Sequence, residues 1–116
     1  MNVEDIRGYC ISLKHTTEGF PFNETTLVFK VGNKIYALLN LEKPHSINLK
    51  CDPEQALKLR EEFDSVTPGY HMNKKHWNTV LIDGSIKPGV LKEWIHQSYN
   101  LTISSLPKYR QKELYN

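Results

Sequence analysis

The sequence predicts an α+β fold, a two-layer sandwich in which an antiparallel sheet has helices packed on one face. Three observations predict it. β-rich segments lie between short turns in residues 26–50, helical periodicity precedes and follows them, and the links are too short for parallel crossovers. A chain of 116 residues has the usual size of one domain, so we expect a single unit over residues 1–116.

The first predicted element is an amphipathic helix. Asn2 and Asp5 have the spacing of a capping box, which marks a helix N-terminus. Residues 19–23 contain a glycine, a proline and an asparagine, which interrupt the helical period after Lys14. Apolar residues recur at helical spacing before that point: Val3, Ile6, Cys10 and Leu13.

A β-hairpin follows. Residues 26–31 and 35–41 are rich in β-branched and aromatic side chains, and Gly32-Asn33 between them favours a two-residue turn. Both faces of the hairpin are partly apolar, and we expect helices to cover one of them. The other face is either an open aromatic surface or lies under a second layer. A two-residue turn predicts that Phe29 lies opposite Tyr36 and Leu27 opposite Leu38, with Val28, Ala37 and Leu39 on the other side.

A third strand and a second helix extend this meander. Residues 46–50 alternate apolar and polar side chains, which predicts a strand. Asp52 then provides a cap and Pro53 a first helical residue, so a helix is predicted through residue 63. Its buried stripe is predicted to be Ala56, Leu59 and Phe63.

The remaining elements complete the sandwich. Residues 67–75 predict a loop and residues 77–82 a short strand that ends at Asp83-Gly84. Pro88 begins a long helix, and a short helix is predicted after Pro107. One face of the long helix is predicted to be buried: Leu91, Trp94, Ile95 and Ser98.

Composition narrows the class of protein. The net charge is +2, and no apolar run approaches the roughly 20 residues of a membrane span. The first residues lack the basic and apolar pattern of a secretory signal, so we expect a cytoplasmic protein without membrane attachment. Cys10 and Cys51 are far apart in sequence, and we expect both thiols to be reduced.

Residues 68–80 read PGYHMNKKHWNTV and continue into Ile82-Asp83-Gly84-Ser85. This segment closely resembles the signature of the MmcQ/YjbR family of small bacterial proteins. The resemblance implies a frataxin/CyaY-like sandwich and DNA as a partner, with a proposed double-wing arrangement of the strands. Further segments match over nearly the whole chain: Pro21-Phe22, Val28-Phe29-Lys30-Val31, Leu49-Lys50, Pro53, Ala56, Ser98-Tyr99 and Leu106-Pro107-Lys108.

The same segment concentrates candidate ligand contacts. Lysines attract phosphate, asparagines hydrogen-bond to phosphates or base edges, and aromatic rings stack on exposed bases. Lys30 and Lys50 are predicted to extend this basic surface. The structural alternative is that Trp77 anchors the core, the asparagines cap turns and the strand lysines are merely solvated. The candidate nucleic-acid contacts in the segment are Tyr70, His71, Asn73, Lys74, Lys75, His76, Trp77 and Asn78.

Other chemistries find less support. His71 and His76 lie five residues apart, which suits a metal site on neither a helix nor a strand, so we expect no metal and no cofactor. Frataxin-like iron handling would need an acidic ridge on the first helix, where only Glu4 and Asp5 are acidic. No nucleophile elbow or phosphate-binding glycine loop is present, which favours a non-enzymatic protein.

The sequence therefore favours a non-enzymatic bacterial domain that binds DNA or another polyanion. Two alternatives stay open. One is a protein-interaction module that offers an apolar sheet face carrying Phe29 and Tyr36. The other is a small-ligand enzyme, which needs a pocket that gathers His71, His76 and a carboxylate.

Overall fold

The computed structural model describes residues 1–70 and 72–115, the last of them without its side chain. Its helices are α1 (Val3–Ser12), α2 (Pro53–Glu62), α3 (Pro88–Ser104) and α4 (Lys108–Tyr115). Its strands are β1 (Thr17–Gly19), β2 (Thr26–Val31), β3 (Lys34–Asn40), β4 (Ser46–Lys50), β5 (Val66–Pro68) and β6 (Trp77–Leu81).

The strands form one antiparallel sheet in the order β1-β2-β3-β4-β6-β5. The core unites side chains of α1, α2 and α3 with alternate residues of the strands, so these helices cover one face of the sheet. We call this side the helix face and the opposite side the open face. The predicted α+β sandwich, an antiparallel sheet with helices packed on one face, is confirmed.

The helices begin where the sequence predicts. The Asn2 side chain accepts a hydrogen bond from the Asp5 amide at 2.8 Å, and the Asp5 carboxylate accepts one from the Asn2 amide at 3.1 Å. Asp52 caps α2 ahead of Pro53, and α3 also begins at a proline. Caps and apolar spacing depend on residues close in sequence, so these elements are predictable. The predicted stripe of α3 is buried: Leu91, Trp94, Ile95 and Ser98.

The β2–β3 hairpin forms as predicted, but its strand register differs from the predicted one. Gly32 and Asn33 both have positive φ, 59° and 66°, as a type I′ turn requires. The pairing then shifts at a β-bulge, and Phe29 lies opposite Ala37 where the sequence predicted Tyr36. The other predicted pair is corrected in the same way, with Leu27 opposite Leu39 and Val28 opposite Leu38.

The bulge places Tyr36 in the core. Tyr36 and Phe29 are each 0% exposed, and their ring centroids lie 6.4 Å apart. The Tyr36 hydroxyl donates a hydrogen bond to the Cys10 carbonyl of α1 at 3.2 Å. Burial of this hydroxyl raises the pKa of Tyr36 above its ordinary value. The hypothesis of an interaction surface built on exposed Phe29 and Tyr36 is therefore wrong, because both rings lie beneath helices.

Ser98 of α3 bridges the strands beside the bulge. Its hydroxyl donates to the Tyr36 carbonyl at 2.6 Å and accepts from the Lys50 amide at 2.8 Å. The last regular pair of β3 and β4 at this end is Ala37 with Leu49, so the Ser98 hydroxyl takes the place of a ladder bond. A buried helix residue thus satisfies the backbone groups that the bulge separates.

The two edge strands, β1 and β5, are not predicted from the sequence pattern. Each has three residues, too few to show the alternation that marks a strand. β5 includes Thr67 and Pro68, so the predicted loop over residues 67–75 is corrected at its start. β1 is joined to α1 by Arg7, whose guanidinium donates to the Glu18 carboxylate at 2.6 and 2.8 Å.

The described helices differ in length and apolar character from a membrane-spanning helix. α3 has 17 residues, and no helix within residues 1–70 and 72–115 combines the length and apolar character that a bilayer crossing needs.

Candidate functional site

Three predicted contact residues lie on the open face at the same end of the sheet. Phe29 and Val31 are core residues, so strand alternation turns Lys30 to the opposite side. The same rule turns Lys50 outward next to buried Leu49. Lys50 pairs directly with Trp77, while Lys30 lies two strands away, about 10 Å at the usual strand spacing. We call Lys30, Lys50 and Trp77 the lysine row.

A groove of about 540 Å³ lies on the same face. Its floor comes from four neighbouring strands, β2, β3, β4 and β6. Polar side chains predominate on this floor, and Leu38 forms an apolar part of it. We call this feature the open-face groove. Its lining residues are Phe22, Asn23, Thr25, Thr26, Leu38, Asn40, Glu42, Ser46, Asn48, Tyr70, Met72 and Thr79.

The loop after β5 folds back over this groove. A side chain at Gly69 would place its Cβ 2.8 Å from the Trp77 Cβ, so glycine allows the backbones to approach closely. The Gly69 amide donates to the Trp77 carbonyl at 2.9 Å, and the Tyr70 amide donates to the Thr79 hydroxyl at 3.0 Å. The Thr79 hydroxyl in turn donates to the Asn48 side-chain oxygen. This chain of contacts holds Tyr70, 70% exposed, at the groove.

Arg60 of α2 holds the other end of the loop. Its guanidinium donates to the side-chain oxygen of Asn78 at 2.7 Å, to the Lys74 carbonyl, and to the Trp77 carbonyl at 3.3 Å. The Asn78 amide nitrogen donates to the Ala56 carbonyl at 3.3 Å. Asn78 is 2% exposed and lies on the helix face, so its side chain serves the contact between α2 and β6.

The other predicted contacts in the segment divide by environment. Lys75 is exposed, and Lys74 is exposed while its ammonium also donates to the Gly69 carbonyl at 3.4 Å. Asn73 shapes the turn, because its side chain accepts from the Lys75 amide at 2.9 Å. His76 is half-buried, and its carbonyl accepts from the Cys51 amide. His71 lies outside the described residues.

The charges on the open face are unevenly distributed. The groove contains one acidic side chain among its described lining residues, Glu42, which follows β3. Lys30 and Lys50 both lie toward the carboxyl ends of their strands, at the end of the sheet away from Glu42, because Lys30 pairs near the β2–β3 turn and Lys50 ends β4. The lysine row is therefore a basic strip beside a largely neutral, hydrogen-bonding groove.

The thiols and carboxylates show no sign of metal chemistry. Within residues 1–70 and 72–115, no three His, Cys, Asp or Glu side chains are grouped so as to hold a metal ion. Cys10 and Cys51 are free, and burial raises the pKa of the Cys10 thiol to about 12. Burial also raises the pKa of Cys51. Neither thiol has the lowered pKa of a nucleophilic or redox-active cysteine.

Comparison with known proteins gives the family. The sequence model of the YjbR family matches residues 11–101. The chain belongs to the YjbR family. It is 41% identical to the uncharacterized protein YbdF of Escherichia coli over 82% of this chain and 79% of that protein. It is 28% identical to the uncharacterized protein YjbR of Escherichia coli over 98% of both chains.

Solved structures show the YjbR fold in relatives. The crystal structure of Deinococcus radiodurans protein DR2400, with a DUF419 domain, superposes with a TM-score of 0.92 at 42% identity. That match covers 97% of this chain and 87% of DR2400. A crystal structure of a Pseudomonas syringae protein superposes with a TM-score of 0.78 at 30% identity, covering 88% of this chain and 99% of the other.

Sequence reasoning misses several residues that shape the site in this YjbR chain. Arg60 lies next to buried Leu59 on α2, and nothing in the helical pattern indicates its reach to the loop. Phe22 belongs to a matching family segment, but its sequence position gives no sign that it lines the groove. A signal did exist for Asn78, because it shares strand parity with apolar Val80 and therefore the helix face.

Proposed function

We propose that this protein binds nucleic acid on the open face of its sheet, with the lysine row as the main phosphate contact. The observation that carries the proposal is that Lys30, Lys50 and Trp77 share the open face at one end of the sheet, on β2, β4 and β6. Ammonium groups bind phosphates by charge, and an indole ring stacks on bases without sequence preference. Tyr70 and Lys75, both exposed in the adjoining loop, extend this surface.

The position of Trp77 supports a ligand role over a purely structural one. The ring is half-buried, whereas Trp94 of α3 belongs to the core and contacts Phe63 edge-on at 5.1 Å. Trp77 also pairs with Lys50, so the aromatic and cationic groups of the proposed surface are neighbours. Because Asn78 and Asn73 are engaged within the fold, we leave both out of the proposed contact set.

The test compares two double variants of equal charge change. Lys30→Gln with Lys50→Gln removes the lysines of the row, and Lys58→Gln with Lys87→Gln removes two exposed lysines elsewhere, one on α2 and one before α3. Binding to a labelled single-stranded oligonucleotide is measured by anisotropy over a range of salt concentrations. Loss of two phosphate contacts is expected to lower the slope of log affinity against log salt by about 1.4.

The control variant is expected to keep the slope of the parent protein. Equal slopes for parent and the Lys30–Lys50 variant would remove the lysine row from the proposal. Absence of salt-dependent binding by the parent protein to both the single strand and the corresponding duplex, at low ionic strength, would refute nucleic-acid binding as the function.

A further inference from the structure

The floor of the open-face groove presents hydrogen-bond donors of fixed orientation. The side-chain oxygen of Asn48 accepts from the Thr79 hydroxyl, and that of Asn40 accepts from the Glu42 amide at 3.1 Å. The oxygens are thereby engaged, and among the described residues neither amide nitrogen has a partner. Asn40 and Asn48 lie on adjacent strands of the same face, so both amide groups can donate into one groove.

Acceptors accompany these donors. The Glu42 carboxylate lines the groove, as do hydroxyl groups of Thr26 and Ser46, each of which can donate and accept. The lining therefore matches a ligand that carries several donors and acceptors on a compact frame. A volume of about 540 Å³ is within the usual range for small-molecule sites, about 300–1,000 Å³.

Aromatic side chains approach the groove from opposite edges of the sheet. Phe22 comes from the segment between β1 and β2 and is 64% exposed, although it is a large apolar residue. Tyr70 comes from the loop after β5, at the other edge. The four floor strands span about 14 Å at the usual spacing, so each ring can cover a separate part of the groove.

We propose that the open-face groove receives unpaired bases of a single-stranded nucleic acid whose phosphates lie on the lysine row. Bases combine flat faces, which stack on Phe22 and Tyr70, with edges that exchange hydrogen bonds with Asn40 and Asn48. A duplex keeps its base faces stacked on one another, so it offers the rings nothing to stack on. This inference rests on the proposed function and adds the strandedness of the ligand.

The experiment separates bases from phosphates on the ligand. Three labelled oligonucleotides of equal length are compared by anisotropy: a base-bearing single strand, an abasic single strand and a duplex. The protein variants are Phe22→Ala in the groove and Leu57→Ala on α2, which removes a side chain of similar exposure, 57%, outside the groove. The parent protein is expected to bind the base-bearing strand about a hundredfold more tightly than the abasic strand, because the abasic strand loses stacking on both Phe22 and Tyr70.

Phe22→Ala is expected to weaken binding of the base-bearing strand about tenfold and to leave binding of the abasic strand unchanged, whereas Leu57→Ala changes neither. Equal affinity of the parent for base-bearing and abasic strands overturns the inference while leaving the lysine row as a phosphate contact. Preference for the duplex also overturns it. If neither strand nor duplex binds, the proposed function fails, and the inference fails with it.

Discussion

The two faces of this sheet are built from the same strands and have opposite chemistry. On the helix face, the polar groups of Tyr36, Ser98 and Asn78 are all hydrogen-bonded within the fold. On the open face, Asn40 and Asn48 keep amide donors available, and the lysine row lies in solvent reach. The comparison teaches that the packing contacts of the core and the proposed ligand contacts lie on different sides of each strand, one residue apart in sequence.

The largest expected difference between the faces concerns two phenylalanines. Phe29→Ala deletes a side chain that is 0% exposed on the helix face and is expected to lower the free energy of unfolding by about 3–5 kcal/mol. Phe22→Ala, at the open-face groove, is expected to change it by less than about 0.5 kcal/mol. Urea unfolding followed by circular dichroism measures both. Comparable losses for the two variants would show that the open face contributes to the stability of the fold.

A smaller difference is expected for two serines. Ser98→Ala leaves the Tyr36 carbonyl and the Lys50 amide without their shared partner, which is expected to cost about 1–3 kcal/mol. Ser46→Ala, on the open face of β4, is expected to cost less than about 0.5 kcal/mol. The same urea experiment compares them. A neutral Ser98→Ala would mean that the strands close the gap beside the bulge without the hydroxyl.

The smallest effect is expected at the solvent edge, where Arg7 lies beside Glu18 and lowers the pKa of that carboxyl. Because the pKa of Glu18 is lower in the folded state, the ion pair stabilises the fold at pH values above the ordinary pKa of 4.5. This contribution is lost as the pH falls through the folded-state pKa. Glu18→Gln should therefore reduce stability slightly at neutral pH and flatten its decline in acid. Urea midpoints from pH 7 to pH 3 test this, and parallel pH profiles would contradict it.

The sequence predicts those parts of the fold that depend on neighbours in the chain. The strand over Ser46–Lys50 and the α3 stripe follow from alternation and helical spacing alone. The hairpin register does not follow from these local patterns. A two-residue turn predicts regular pairing, whereas the observed bulge allows Tyr36 to pack against α1 and α3. Only tertiary packing reveals which side of a strand its aromatic residue takes.

The candidate site is predictable to a similar degree. Residue type alone nominates Lys30, Lys50 and Trp77, but their alignment depends on pairings among strands far apart in sequence. The same non-local pairings bring Asn40 and Asn48 to one groove, which their spacing along the sequence does not predict. Asn78 shows the converse, since residue type suggests a ligand contact and burial against α2 assigns the side chain to the fold.

The short edge strands have a consequence for how this protein behaves at high concentration. β1 and β5 have three residues each, and β5 ends in Pro68, which has no amide hydrogen to donate to an incoming strand. A sheet with one uncovered face would otherwise be exposed to edge-to-edge aggregation, which long unpaired edges promote. Short edge strands offer an added strand few hydrogen bonds, so the uncovered face can stay open to the proposed ligand without the sheet extending into fibrils.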